Sequence, residues 1–295
     1  MTELAVITPT FRGDAEIFAD LHRSVLAYTP PDTVHHVVVP PRDRDLFADY
    51  AGPRCQVWTS AQLLPTSYLH LRAGRLETFV DVRRPWPPVR GWISQQAIKI
   101  AMTARLDARV VLLADSDVVL VRPVRAERFF VDGRFSLVRE EKAVTDEMER
   151  HVIWHRVSRE LFGLPAGPPP PLPDYVSPVN FWDPAVVLAM QERIREVTGK
   201  DWLRAFTGQL HISEFILYGV FVDEVLSRTA TPPPAYGTIC HNYWEHTPLE
   251  PQSGMAFAEQ LPADAVAMMI SAKSGTTAGV RRAAIDRCAE IAGSR

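Results

Sequence analysis

The chain has 295 residues, 46% hydrophobic and 23% charged, with a formal net charge of −3. That is ordinary globular composition, long enough for one large α/β domain with a real core, and it carries no basic stripe that would announce nucleic acid. Three cysteines, Cys55, Cys240 and Cys288, lie far apart and form neither a C-x-x-C pair nor a disulfide framework, which fits a reducing cytoplasm. The first residues lack a basic region followed by a signal-length apolar stretch, and no window reaches the ~18 apolar residues that span a bilayer. The expectation is a soluble, cytoplasmic protein without a transmembrane segment.

Leu4 to Thr8 (LAVIT) is a short apolar, β-branched run and predicts a first parallel strand. Asp14 is placed to cap the next helix, Ala15 to Tyr28, whose Ile17, Phe18, Leu21, Val25 and Leu26 follow helical spacing. Val34 to Val39 predicts a second strand. His35 and His36 face opposite ways in it, so they read as strand-surface and packing residues rather than a chelating pair. A short helix over Arg42 to Tyr50 and a strand over Cys55 to Thr59 complete β-α-β-α-β, the first half of a doubly wound sheet. Pro65 to Arg90 is irregular and rich in Pro and Trp near its end. It reads either as a flexible loop closing over a ligand or as a fixed surface element. Trp92 to Leu106 predicts a helix buried along Ile93, Ala97, Ile100, Ala101 and Ala104, with Gln96 and Lys99 sharing another face. A lysine there, in a cleft, would be a point charge for a diphosphate.

The stretch Val110 to Pro123 (VVLLADSDVVLVRP) is the centre of the chain. Its apolar run predicts a buried strand of a parallel sheet, and Asp115 and Asp117 sit at its carboxyl end, where open α/β sheets bind ligands. In an extended chain residues i and i+2 point the same way, so both carboxylates can aim at one hard divalent cation. Downstream come a strand candidate at Phe135 to Arg139 and a helix from Thr145 to Phe162, capped by Thr145 or Asp146. His151 and His155 share a face of that helix without the glutamate of a zinc-protease motif. After the stiff, proline-rich segment Leu164 to Pro173 come a strand over Tyr175 to Trp182 and helices over Pro184 to Val197 and His211 to Leu226. Thr238 to Glu245, Ala265 to Lys273 and a C-terminal helix from about Thr277 complete the chain.

An apolar strand ending in D-x-D, preceded by a helix such as Gly91 to Met102 (GWISQQAIKIAM) with a lysine on one face, resembles the GT-A glycosyltransferases. The resemblance covers an architecture and a few motifs across most of the chain. It implies an α/β fold: one Rossmann-like GT-A domain over residues 1–295, with a mostly parallel central sheet flanked by helices. Residues 1–123 would form the nucleotide-sugar donor half and 124–295 the acceptor half. By the same likeness Thr8, Pro9, Thr10 and Arg12 would line the nucleotide pocket, although Arg12 also reads as a surface arginine before the helix. Asp117, with Asp115 on the metal or the ribose, would hold Mn2+ or Mg2+ at the donor diphosphate, and Ser116, Gln96 and Lys99 would join the nucleotide-sugar site. Glu214 would be the base or acceptor clamp. Asn180 and Trp182, two apart, would meet the acceptor. His241 fits a third metal ligand by type and position, and Lys273 a cation near the diphosphate. The two lie far apart, unlike the compact His/Lys motif of the glycogenin-like group.

The function implied is metal-dependent transfer of a sugar, hexosyltransferase-type, from a nucleotide-diphosphate donor to an acceptor hydroxyl of a saccharide, lipid or natural product. DSDVVL also resembles the nucleophile motif of haloacid-dehalogenase-like phosphatases, with Asp115 attacking phosphate. That family's later paired acidic motif is not found downstream. A catalytically silent nucleotide-sugar-binding protein would share the fold.

Overall fold

The structure is a computed structural model and describes residues 2–73, 76–131, 134–135, 137–226 and 239–294. The central sheet is built from the apolar, β-branched runs: β1 (Thr2–Pro9), β2 (Val34–Val39), β3 (Cys55–Thr59) and β7 (Ala108–Ala114). A fifth strand, β9 (Val179–Trp182), closes one edge. The spatial order is β9-β7-β1-β2-β3, with β7, β1, β2 and β3 parallel and β9 antiparallel to β7. Ala5 sets the register, lying beside Val34 on one side and Val111 on the other. The expected class, α/β with a mostly parallel sheet flanked by helices, is therefore the one the chain adopts. The strand from the later part of the chain is nonetheless woven into the sheet that the first 123 residues begin.

Alternation along the strands divides the core between two faces. Leu4 and Val6 point to the side packed by Phe18, Leu21 and Val25 of helix α1 (Ala15–Tyr28). Ala5 and Ile7 point to the side packed by Ile93, Ala97 and Ile100 of α2 (Gly91–Thr103). Both faces are thus sealed, which is why these strands read as continuous apolar runs. Ile7 is fully buried, and cutting it to alanine should cost about 2–5 kcal/mol.

The irregular stretch before α2 is a small sheet of its own. Strands β4 (Tyr68–Ala73), β5 (Leu76–Asp81) and β6 (Arg84–Val89) pair antiparallel in that order. Its prolines and short alternation hid it from the sequence.

The D-x-D run is not one strand. The chain turns at Asp115–Asp117, with the Val118 N–H donating to the Asp115 carbonyl at 3.1 Å. It then enters a second sheet as β8 (Val118–Leu120). The rest of that sheet comes from β10 (Cys240–Tyr243) and β11 (Ala267–Ile270), in the order β10-β11-β8. Helices α7 (Pro251–Glu259) and α8 (Ala278–Gly293) cover it through Phe257, Ala258, Ala284 and Cys288. Between β8 and β10 run α3 (Glu149–Leu161), α4 (Pro184–Thr198), α5 (Trp202–Thr207) and α6 (Glu214–Val220). α3 starts later than its expected Thr145 or Asp146 cap and has no side-chain cap. Of the remaining expectations, Thr238 and Ser136 lie outside the described residues, and Glu140–Val144, just past Phe135 to Arg139, forms a strand instead.

Candidate functional site

The strand order reverses between β1 and β7. The chain builds outward from β1 through β2 to β3, then crosses back to place β7 on the other side of β1. Loops leaving such a switch point diverge and open a crevice at the carboxyl ends of the strands. Here a cleft of about 500 Å³ lies there, walled by Pro9 at the end of β1 and Asp14 beyond it, and by Asp115, Ser116 and Asp117 after β7. Gln95, Gln96 and Lys99 reach it from α2, Glu214 from the start of α6, and Trp244, His246 and Lys273 from beyond β10 and β11. A second hollow of about 490 Å³ shares Pro9, Phe11, Trp92, Gln95 and Lys273 with it and runs on to Thr10, Arg42 and Phe79.

Three carboxylates crowd one end. Asp14 accepts a hydrogen bond from the Ser116 hydroxyl at 2.6 Å. It does not cap α1, as expected of it; its side chain makes no capping bond. Asp117 accepts the backbone N–H of Ala272 at 2.9 Å. Burial and then the neighbouring Asp115 push its carboxyl up to about 6. Asp14 is raised chiefly by burial, partly offset by the Ser116 hydrogen bond. Carboxylates that burial and each other destabilise as anions are poised for a cation. The extended-strand argument for their convergence does not hold, because Asp115 and Asp117 lie in a turn. They meet because the turn faces the cleft.

At the cleft floor Lys99 Nζ lies 2.8 Å from Asp115 and 3.0 Å from Glu214. Burial works against its charge, but the two acids outweigh it and raise its pKa. Glu214 is held up by burial, against the pull of Lys99. Lys99 is thus already partnered, and its role as a free charge for a diphosphate is corrected: it bridges two acids. The Gln96 Oε1 accepts the Glu214 N–H at 2.9 Å, which fixes the amide's orientation, and the Gln96 Nε2 has no partner. The Thr10 hydroxyl, buried at the wall of the adjoining hollow, is also unpartnered. A buried donor without a partner costs stability, and at a cavity wall it is satisfied when a ligand arrives.

Several expected site residues lie elsewhere. The Thr8 hydroxyl bonds His35 Nε2 at 2.9 Å inside the sheet. Arg12 is clasped by Asp43 through its backbone N–H and its Nε, at 3.0 and 2.6 Å. Asn180 turns back on its own strand, donating to the Tyr175 carbonyl at 2.9 Å. Trp182 is buried against Tyr218, ring centroids 4.8 Å apart. His241 is spent on the Phe257 carbonyl at 2.7 Å and stacks on that residue's ring. Asn180, Trp182 and His241 are therefore packing residues. Nor are His35 and His36 at the strand surface: both are buried, the first against His22 at 3.0 Å and the second accepting from Trp58 Nε1 at 3.2 Å.

Sequence reasoning missed Arg281, Trp244 and His246. Arg281, buried on α8, donates to the carbonyls of Asp117 and Ile270, both at 2.6 Å, and so pins the D-x-D turn. Nothing local in the sequence of α8 marks it. The other two lie just past Tyr243, beyond β10, where a TICHNYWE stretch drew attention to its histidine and away from its aromatic end.

Among the described residues no three or more His, Cys, Asp or Glu side chains are gathered as a metal cage. The donor set still fits a hard cation. Asp115 and Asp117 offer carboxylate oxygens, and an ion such as Mg2+ commonly takes only one or two of these, with substrate phosphates and water completing its shell.

Fold and site together define an α/β protein with an acidic ligand cleft at the switch point of a parallel sheet. The chain belongs to the DUF6492 family, a family of unknown function, whose model matches residues 3–255. No curated protein matches it in sequence. Among solved structures it is similar to the galactosyltransferase LgtC in complex with donor and acceptor sugar analogs, at 12% identity over 98% of this chain and 95% of that one, TM-score 0.43. It is also similar to the apo form of mouse xyloside xylosyltransferase 1, at 11% identity over 91% and 98%, TM-score 0.47.

Proposed function

We propose that the chain is a metal-dependent glycosyltransferase of the GT-A type, acting on a nucleotide-diphosphate sugar. The observation that carries this reading is the crowding of Asp14, Asp115 and Asp117 at the β1/β7 switch point, in a cleft that continues into a hollow with an unpartnered Thr10 hydroxyl. The carboxylates suit a cation, and the hollow, walled by Phe11, Phe79 and Arg42, suits a base and ribose.

Asp115 and Asp117 would hold the metal. When bound, it supplies Lewis-acid neutralisation of the diphosphate as the sugar–phosphate bond breaks. Lys273, exposed on the cleft rim, adds a positive charge to the same leaving group. Lys99 holds the Asp115 carboxylate aimed into the cleft and the Glu214 carboxylate in its floor. Glu214 orients the acceptor hydroxyl and can take its proton, since burial has already raised its proton affinity. Gln96 Nε2 donates to a sugar hydroxyl. Trp92 and Trp244, partly exposed on the walls, offer faces for a sugar ring.

The test is calorimetric titration of UDP and GDP, each with Mn2+ and with EDTA, into the wild type and Asp117→Ala. Metal-dependent binding to the wild type alone supports the reading and names the base. If neither nucleotide binds with metal present, the donor site is not there.

A further inference from the structure

The small sheet before α2 has two different sides. Strand β4 alternates: His70 turns inward and lines the nucleotide hollow, while Leu69 and Leu71 on either side of it stand about half exposed. Val82, in the turn from β5 to β6, is also about half exposed, and Trp86 on β6 is 80% exposed. A tryptophan that bare is unusual for a residue carrying so much apolar surface. It sits in the run RRPWPPVR, and residues 68–90 hold five arginines against two acids, in a chain whose net charge is −3. Of those acids, Asp81 is already bonded by Arg83 at 2.9 Å. Arg84 and Arg90 line a small cavity of about 70 Å³ together with Arg204 of α5 and Asp81, which lies 3.8 Å from Arg204.

We infer that this sheet docks the protein on an anionic lipid surface, with Trp86, Leu69, Leu71 and Val82 entering the headgroup boundary and Arg84 and Arg90 meeting lipid phosphates. Exposed apolar side chains interleaved with arginine match a membrane interface, where the apolar body leaves water and the cation stays with the phosphates. The local positive excess on an acidic protein supplies the charge complementarity, and no helix among the described residues is long and apolar enough to cross the bilayer instead. Docking does not depend on the transferase reading. If that reading holds as well, the cleft wall made by His70, Thr78 and Phe79 lies beside the membrane, and an acceptor carried in the bilayer can reach it.

The experiment is cosedimentation of the full chain with vesicles of mixed phosphatidylcholine and phosphatidylglycerol, compared with phosphatidylcholine alone, at low and high salt. The mixed vesicles should bind the protein, and salt should release it. Trp86→Ser and Arg84→Glu should each weaken binding about tenfold. Leu188→Ser, an exposed apolar site on α4, should not. Circular dichroism checks that each variant is folded, and nucleotide titration reports the cleft separately. Failure to bind the mixed vesicles at low salt overturns the inference, as does binding that both patch variants leave unchanged. A wild type that ignores vesicles but dimerises, with Trp86→Ser monomeric, also overturns it and assigns the patch to a second copy of the chain.

Discussion

Thr8 and Thr10 stand two residues apart at the end of β1, both buried, and they belong to different kinds of chemistry. The Thr8 hydroxyl is one link in a closed chain through His35 to His22. The Thr10 hydroxyl has no partner and lies at the wall of a cavity. The same contrast separates the histidines of β2, whose ring nitrogens find partners in the core, from Asp14, Asp117 and Glu214 of the cleft, which burial pushes toward protonation. Polar groups that the fold satisfies hold the sheet together. Those it leaves strained at a cavity wall are set for something that arrives later. Trp182 shows that the rule needs the cavity: its indole nitrogen is unpartnered too, but it lies in the packed core.

The sharpest way to break this division is to remove a cleft carboxylate and a packing histidine in parallel. Asp117→Ala should weaken metal-dependent nucleotide binding at least ~100-fold, while His241→Ala leaves it within about twofold because that ring is spent on Phe257. Titration calorimetry reads both, and a His241→Ala loss as deep as that of Asp117→Ala would restore His241 as a ligand.

Next in size is acid sensitivity. Burial lowers His36 to about 4 and moves His35 and His22 downward as well. In the unfolded chain these rings take up protons near 6.5, so between there and about 4 the unfolded state binds more protons than the folded one. Stability is therefore complete above that window and falls as pH drops through it, by about 3 kcal/mol from His36. Urea midpoints measured from pH 7 to 4 should show the loss, and His36→Gln should flatten the curve.

Smaller still is Thr8→Val, which strands the buried His35 Nε2 and should cost about 1–3 kcal/mol with nucleotide affinity unchanged. The mildest change is Thr10→Val. It removes an unpartnered hydroxyl, so stability should hold within about 0.5 kcal/mol while nucleotide binding falls severalfold. Equal stability losses at the two positions would erase the distinction between them.

These pairs also show what was legible beforehand. The run LAVIT, the VHHVVV and CQVWT strands and the helix Ala15–Tyr28 could be read nearly to the residue. Each is a local pattern, either a continuous apolar stretch or a 3.6-residue stripe, and tertiary packing had no reason to override it. Asp115, Asp117 and Glu214 were legible as acids where apolar elements end or begin, and Lys99 as a lysine on one face of an apolar helix. Their mutual arrangement was not: it depends on a turn that sends β8 to another sheet. The third strand of the β4–β6 sheet was hidden by its prolines, and its first two by their shortness. Thr8, Asn180, Trp182 and His241 were assigned to the cleft by residue type, but their partners come from strands and helices distant in sequence, which no local pattern reveals. Arg281 was invisible for the same reason.

That arginine ties the age of the site to the order of synthesis. Asp117 and Arg281 are 164 residues apart in the chain. On the ribosome, the carboxylate turn emerges long before the helix that pins it, and a domain generally folds as a unit. The turn can be fixed only once α8 has been made and packed against it, because it is Arg281 that donates to the Asp117 carbonyl.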